Sequence, residues 1–198
     1  QGVSPSVIEA VLVTHLHGDH FAGLPFFLLD AKFSKRQAPL LIAGPPGIGP
    51  RILQAMEVLY PQSTEALQGL PVHFLELPAS TPCPMGSLRV TAEPVEHPSG
   101  APSYAFRIEC AGRIIAYSGD TQWTEALIKV AEGADLFICE ASFFDRPRKY
   151  HIDYPTLRAH KDRLGCKRLV LTHMAEDMLQ HRMEIEEESA EDGKTIHL

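Results

Sequence analysis

No stretch of this 198-residue chain approaches the roughly 18 consecutive apolar residues of a membrane-spanning helix. A basic segment leading into an apolar one, the mark of a secretory leader, does not appear in the opening QGVSPSV. Both absences point to a cytoplasmic protein with no membrane partner. Cysteine is sparse: the four residues Cys83, Cys110, Cys139 and Cys166 lie far apart, with no CxxC pair. That spacing excludes a disulfide framework and a cysteine-built zinc ribbon, and predicts free thiols in a reducing compartment. Basic charge is not in excess either. The formal net charge is −7 and the pI about 5.8, which gives no support for a general nucleic-acid-binding surface. Arg146, Arg148 and Lys149 form one small basic group and Lys161, Arg163, Lys167 and Arg168 another; both read as solvated faces. Repeats and low-complexity tracts are missing.

Histidine and aspartate are what the chain has, in one place. Residues 14–21 read THLHGDHF, directly after the apolar run Val11, Leu12, Val13. Such groups are costly to leave unpaired near a core. On an extended backbone His15 and His17, two apart, share one face, and the chain then turns at Gly18 toward Asp19 and His20. One short loop can thus supply two pairs of ligands to two neighbouring sites.

The rest of the chain alternates apolar runs with longer amphipathic ones. Strands are expected at 10–14, 39–43, 72–77, 88–95, 103–109, 113–118, 135–140, 168–172 and 194–198. Helices are expected at 22–35, 47–60, 123–132, 155–164 and 175–187. Hairpins mixed with helical crossovers indicate an α/β layered domain with mixed sheets. Further ligand-type residues stand just past strand ends: His97 after LRVTAEPVE, Asp120 after RIIAYSG and His173 after RLVLT. A carboxylate can bridge two cations, and Asp120 suits that position. Imidazole and carboxylate fit zinc, and also manganese or iron. Two such ions about 3.5–4 Å apart lower the pKa of a shared water and suit hydrolysis of phosphodiesters, esters or lactams. His73, His160, His181 and His197 read as ordinary surface or core histidines. His151, in KYHIDYPTL, is either a residue of a helix N-terminal turn or a transition-state donor.

THLHGDH resembles the HxHxDH signature of the metallo-β-lactamase superfamily. The resemblance runs on in order through His97, SGDT with Asp120, CEASF, KYHIDYPTL and LVLTHM with His173, covering nearly the whole chain. The order of the later motifs, and the turn in LLIAGPPG, is similar to the ribonuclease Z and phosphodiesterase branch. The resemblance implies an αββα sandwich of two mixed sheets with outer helices, as one domain over 1–198. It implies that His15, His17 and His97 hold one metal, that Asp19, His20 and His173 hold the other, and that Asp120 bridges. It assigns Asp19 to orienting the nucleophile. It gives His151 the departing group, supported by a carboxylate for which Glu140 is the candidate.

Three departures are visible. The family places strands and a helix before the HxHxDH loop, whereas nine residues precede the first strand here. The domain is therefore expected to be N-terminally incomplete, and the chain made alone to be unstable or associated. LTHMAEDM lacks the serine and arginine that ribonuclease Z carries after its last LTH, and no long glycine- and basic-rich arm is present. The leading expectation is a dinuclear metal-dependent hydrolase, a phosphodiesterase acting on a small-molecule or short nucleotide substrate. Ribonuclease Z-type 3′ processing of transfer-RNA precursors, with RNA as partner, is one alternative. β-Lactamase and thiolesterase activities fit the motifs less well. A non-catalytic metal-binding or sensor protein is the other alternative, and a homodimer is compatible with all of them.

Overall fold

A computed structural model describes residues 2–198. The chain divides into two compact units: residues 1–77 with 99–101, and residues 78–98 with 102–198.

The first unit is built on a three-stranded parallel sheet in the order β1 (Ala10–Leu12), β2 (Leu40–Gly44), β3 (Val72–Glu76). β2 lies between the other two, so its LLIAG run is apolar almost throughout, as a strand covered on both faces requires. Helix α1 (Gly18–Phe21) is a single turn; α2 (Gly23–Phe33) and α3 (Ile48–Leu59) are the crossovers. Leu28, Leu40, Ile42, Ile48, Ile52 and Met56 form the centre of its core. The helix expected over 22–35 is therefore preceded by a separate turn that begins at Gly18.

Gly44 sits where two backbones nearly touch. A Cβ there would lie 2.9 Å from the Val13 carbonyl oxygen and 3.2 Å from Val13 Cβ. Val13 N–H in turn donates to the Ala43 carbonyl at 2.8 Å. This contact fixes the exit of β1, from which the HLHGDH loop leaves. Gly44→Ala is expected to destabilise by about 1–3 kcal/mol through overpacking, seen as a Tm lower by roughly 2–4 °C per kcal/mol. It should also weaken zinc binding, because the loop is displaced with the strand. An unchanged Tm and zinc titration would show that the strand end accommodates a methyl group.

The second unit carries a seven-stranded mixed sheet. Its strands are β4 (Cys83–Met85), β5 (Leu88–Val95), β6 (Ser103–Cys110), β7 (Arg113–Tyr117), β8 (Leu136–Glu140), β9 (Leu169–Thr172) and β10 (Glu188–Ser189), ordered from β10 at one edge to β4 at the other. β4 to β7 pair antiparallel through hairpins; β7 to β10 pair parallel. The turn between β6 and β7 places Ala111 and Gly112 at φ 49° and 76°, the left-handed geometry a tight hairpin needs. Helices α4 (Ala126–Ala131), α5 (Tyr154–His160) and α6 (Glu176–Gln180) complete it, over a core that includes Leu127, Phe137, Cys139, Leu157 and Leu171. Burial first, and then the Glu140 carboxylate, push the Cys139 thiol up, so it behaves as a small apolar residue. All four cysteines are free thiols.

Two expectations are corrected. Residues 194–198 form no strand, because Glu188 and Ser189 already pair with β9 at that edge. The helix expected over 175–187 stops at Gln180 and continues only as a 3₁₀ turn at Arg182–Glu184, which turns the chain back to that pairing. No helix among the described residues is long and apolar enough to cross a membrane.

Candidate metal centre

Strand direction explains where the candidate ligands gather in the second unit. β7, β8 and β9 are neighbours and parallel, so all three end at one edge of the sheet. β5 is antiparallel to β6, which is antiparallel to β7, so β5 ends there too. His97 follows β5, Asp120 follows β7, Glu140 closes β8 and His173 follows β9. Four side chains from separate parts of the chain thus meet at the carboxyl edge, the usual ligand position in such sheets.

Asp120 is the hub. Its Oδ2 lies 3.9 Å from His97 Nε2 and 3.3 Å from His173 Nε2. His97, Asp120 and His151 each offer a ligand atom within 4.8 Å of the others, and so do Glu140, His151 and His173. Second partners determine which ring nitrogen is available. His97 Nδ1 lies 3.0 Å from the Tyr150 carbonyl oxygen, which only accepts. Nδ1 therefore carries a hydrogen, and Nε2 is the ring nitrogen turned toward Asp120. Ser142 Oγ–H donates to Glu140 Oε2 at 2.6 Å, so the same hydroxyl accepts from His173 Nδ1 at 3.0 Å. His173 too turns its Nε2 toward Asp120. In both rings the partner behind Nδ1 fixes the orientation in which Nε2 faces the centre.

Glu140 is fully buried and well supplied with donors. Its Oε1 accepts from the Thr121 backbone N–H. Its Oε2 receives Ser142 Oγ–H and His151 Nδ1–H, the latter at 3.0 Å. Ser118 Oγ accepts from the Glu140 backbone N–H at 2.8 Å. The SGDT and EASF segments therefore brace each other. Burial, followed by the charges of Asp120 and Glu140, pushes the Tyr117 phenol up, leaving it neutral near this acidic edge. Asp153, not His151, caps α5: its side chain accepts from Thr156 N–H at 2.8 Å. His151 is thus left facing His97 and His173, with ring centroids at 5.0 and 5.4 Å.

The first unit carries its own group. β1 runs extended through Val13 into the loop, and α1 begins at Gly18 with His17 as its cap. His15 and His17 rings stand edge to face at 4.9 Å, as alternate residues on an extended chain allow. The single helical turn folds His20 back, its ring 4.1 Å from that of His15. Thr14 Oγ lies 3.0 Å from His15 Nδ1, and Asp19 Oδ2 lies 3.4 Å from His20 Nε2. Imidazoles with a carboxylate beside them make a donor set of the zinc, manganese or iron type. The donor chemistry of both units fits divalent metal ions.

Ser142, Thr121 and Ser118 escaped the sequence reading. The only available signal was their place inside SGDT and EASF, since a serine or threonine by itself carries no chemical mark. His160 and His181 stack on Trp123 and Phe144 with centroids 4.2 Å apart, in keeping with ordinary packing roles.

The family model for the β-lactamase superfamily domain matches residues 2–174. Ribonuclease Z of Limosilactobacillus fermentum is 26% identical, over 87% of this chain and 72% of its own. The crystal structure of human tRNase Z, short form, superposes with a TM-score of 0.76 at 26% identity, covering 100% of this chain and 82% of that one. A diphosphatase of the PhnP family gives a TM-score of 0.72 at 18% identity over 96% and 72%, a likeness of fold. With two sheets, outer helices and a histidine–aspartate set at the strand ends, this chain has the metallo-β-lactamase fold, is similar to ribonuclease Z proteins, and belongs to the β-lactamase superfamily domain family.

Proposed function

We propose that the chain is a metal-dependent hydrolase of phosphodiesters, using two divalent metal ions with zinc as the first candidate. The observation that carries the reading is the Asp120 carboxylate oxygen facing the Nε2 atoms of His97 and His173, beside the Glu140–His151 pair. His15, His17 and His97 would hold one ion, Asp19, His20 and His173 the other, with Asp120 shared. When bound, the ions supply a nucleophilic oxygen at neutral pH and charge neutralisation at the phosphate. Asp19 orients the attacking oxygen through its carboxylate. Tyr150 and Ser142 hold the rings of His97 and His173 with Nε2 turned to the centre. His151 carries a proton on Nε2 and delivers it to the departing oxygen. Glu140, hydrogen-bonded to Nδ1, keeps that ring oriented.

Turnover of bis(p-nitrophenyl) phosphate is expected to disappear after chelation and to return with about two equivalents of zinc or manganese. Failure to turn over in excess of either metal, with fewer than one ion bound per chain, would sink the reading. A second reading is ribonuclease Z-type cleavage of transfer-RNA precursors, favoured by the 26% identity to human tRNase Z across the whole chain. Against it stand LTHMAEDM without a basic residue and the lack of a long basic arm. Cleavage of a precursor transfer RNA at rates well above those for the small diester would favour the second reading.

A further inference from the structure

Beside His151 and His173, the second unit opens a pocket of about 430 Å³ whose wall also includes Phe143, Arg148, Met174 and Ala175. That volume falls in the range of small-molecule sites. Its lining combines polar groups (Ser142, His151, His173 and Arg148) with the apolar Phe143, Met174 and Ala175. Arg146 and Arg148 both lie over the Phe143 ring, at 5.7 and 5.6 Å from its centroid. Their electrostatic situations differ. Arg146 Nε pairs with Asp177 at 3.4 Å, whereas Arg148 has no carboxylate partner among the described residues. A guanidinium held over an aromatic face, with its own charge not neutralised, is prepared for an anion.

We infer that Arg148 is the specificity-determining cation of this pocket. It recognises the phosphate of a phosphoric ester whose ring-bearing arm lies on Met174 and Ala175, and Phe143 positions it. The inference rests on the phosphodiesterase reading above and names its substrate class: a monoanionic diester with a planar, nucleoside-like or aryl substituent. The basic group at 146–149, which composition assigns to a solvated face, thus divides into a paired arginine and a ligand-facing one.

Isothermal titration calorimetry separates this inference from the reaction itself. Adenosine 5′-monophosphate, adenosine and inorganic phosphate are titrated into the purified protein and into R148Q, R148K and F143L. R148Q is expected to weaken the monophosphate and inorganic phosphate about tenfold while leaving adenosine unchanged, because a charge-assisted pair is lost. R148K should recover part of that loss, since the charge returns without the planar fork. F143L should weaken the monophosphate a few-fold and add little in the R148Q background, as a residue acting through Arg148 must. Monophosphate affinity within twofold of the parent in R148Q would overturn the assignment, as would parent protein that binds adenosine as tightly as its phosphate. A short single-stranded RNA binding more than about tenfold tighter than the monophosphate, with the same loss in R148Q, would identify an RNA chain as the source of the phosphate. Equal affinities would identify a free nucleotide ester. If the binding pattern holds but no metal restores turnover, the proposed hydrolysis fails and the pocket assignment stands.

Discussion

His151→Ala should lower kcat for a diester with a poor leaving group by about 10²–10⁴, with a much smaller change in KM. The proton it would deliver matters only when charge develops on the departing oxygen, so the loss would belong to the transition state. That gives the test an internal control. p-Nitrophenolate is a stable anion and departs without a proton, so bis(p-nitrophenyl) phosphate should lose far less activity than an alkyl or nucleoside ester. Glu140→Gln should show the same leaving-group dependence in weaker form. The amide can still approach His151 Nδ1 at the present 3.0 Å but brings no negative charge to the ring. Equal losses on both substrates, or a fall in bound metal, would move His151 from proton donor to ligand. Steady-state kinetics on the two substrates, with metal analysis of the same samples, decides between them.

Asp120→Ala should reduce metal content from two ions per chain to one or fewer and turnover by about 10³ or more, since several kcal/mol of transition-state stabilisation go with the ions. The present geometry sets one oxygen against two imidazole rings. Removing it deletes the negative charge that would let His97 and His173 serve adjacent cations. Asp120→Asn separates shape from charge: it keeps the volume at this buried position and should bind metal almost as poorly as alanine. Elemental analysis after reconstitution in excess zinc measures the first effect. Circular dichroism and a thermal melt establish that each variant is folded. Two ions per chain and turnover within about threefold of the parent would remove Asp120 from the centre.

Asp120, Glu140 and His173 are recognisable in the chain because each stands at the end of an apolar run, whereas His151, after the polar stretch RPRK, does not. Thr172 ends β9 and His173 follows it; Glu140 ends β8 itself. A polar residue at such a boundary is cheap to see, since the alternation of a strand breaks there. That these boundaries share one edge is a matter of strand direction, and the Cys110–Gly112 hairpin signal was the part of it written locally. Other features depend on distant partners. Ser142 reads as an ordinary loop residue until His173, 31 positions later, arrives beside it. The KTIHL run has a strand's composition and no free neighbour, because a two-residue strand had already taken the edge of β9. Arg148 and Arg146 are indistinguishable in sequence, and only Asp177 separates them.

Two positions around the centre, Tyr150 and His173, hold φ at 70° and 55°, in the left-handed region. Histidine, asparagine and aspartate tolerate that region better than most side chains, and glycine occupies it without strain. The replacements open to position 173 are therefore unequal. Valine or isoleucine would clash with the backbone before any question of chemistry arose. Aspartate would keep both the loop and a ligand atom, so a lineage could exchange one metal for another through it. Glycine would relax the chain while discarding the ligand. Selection for thermal stability alone would then pull this position away from histidine, and selection for chemistry would pull it back. Directed evolution of the protein toward heat resistance, with no activity screen, should accumulate glycine or asparagine at 173 early. Improved melting would then accompany a lost metal site, a trade-off located in a single backbone torsion.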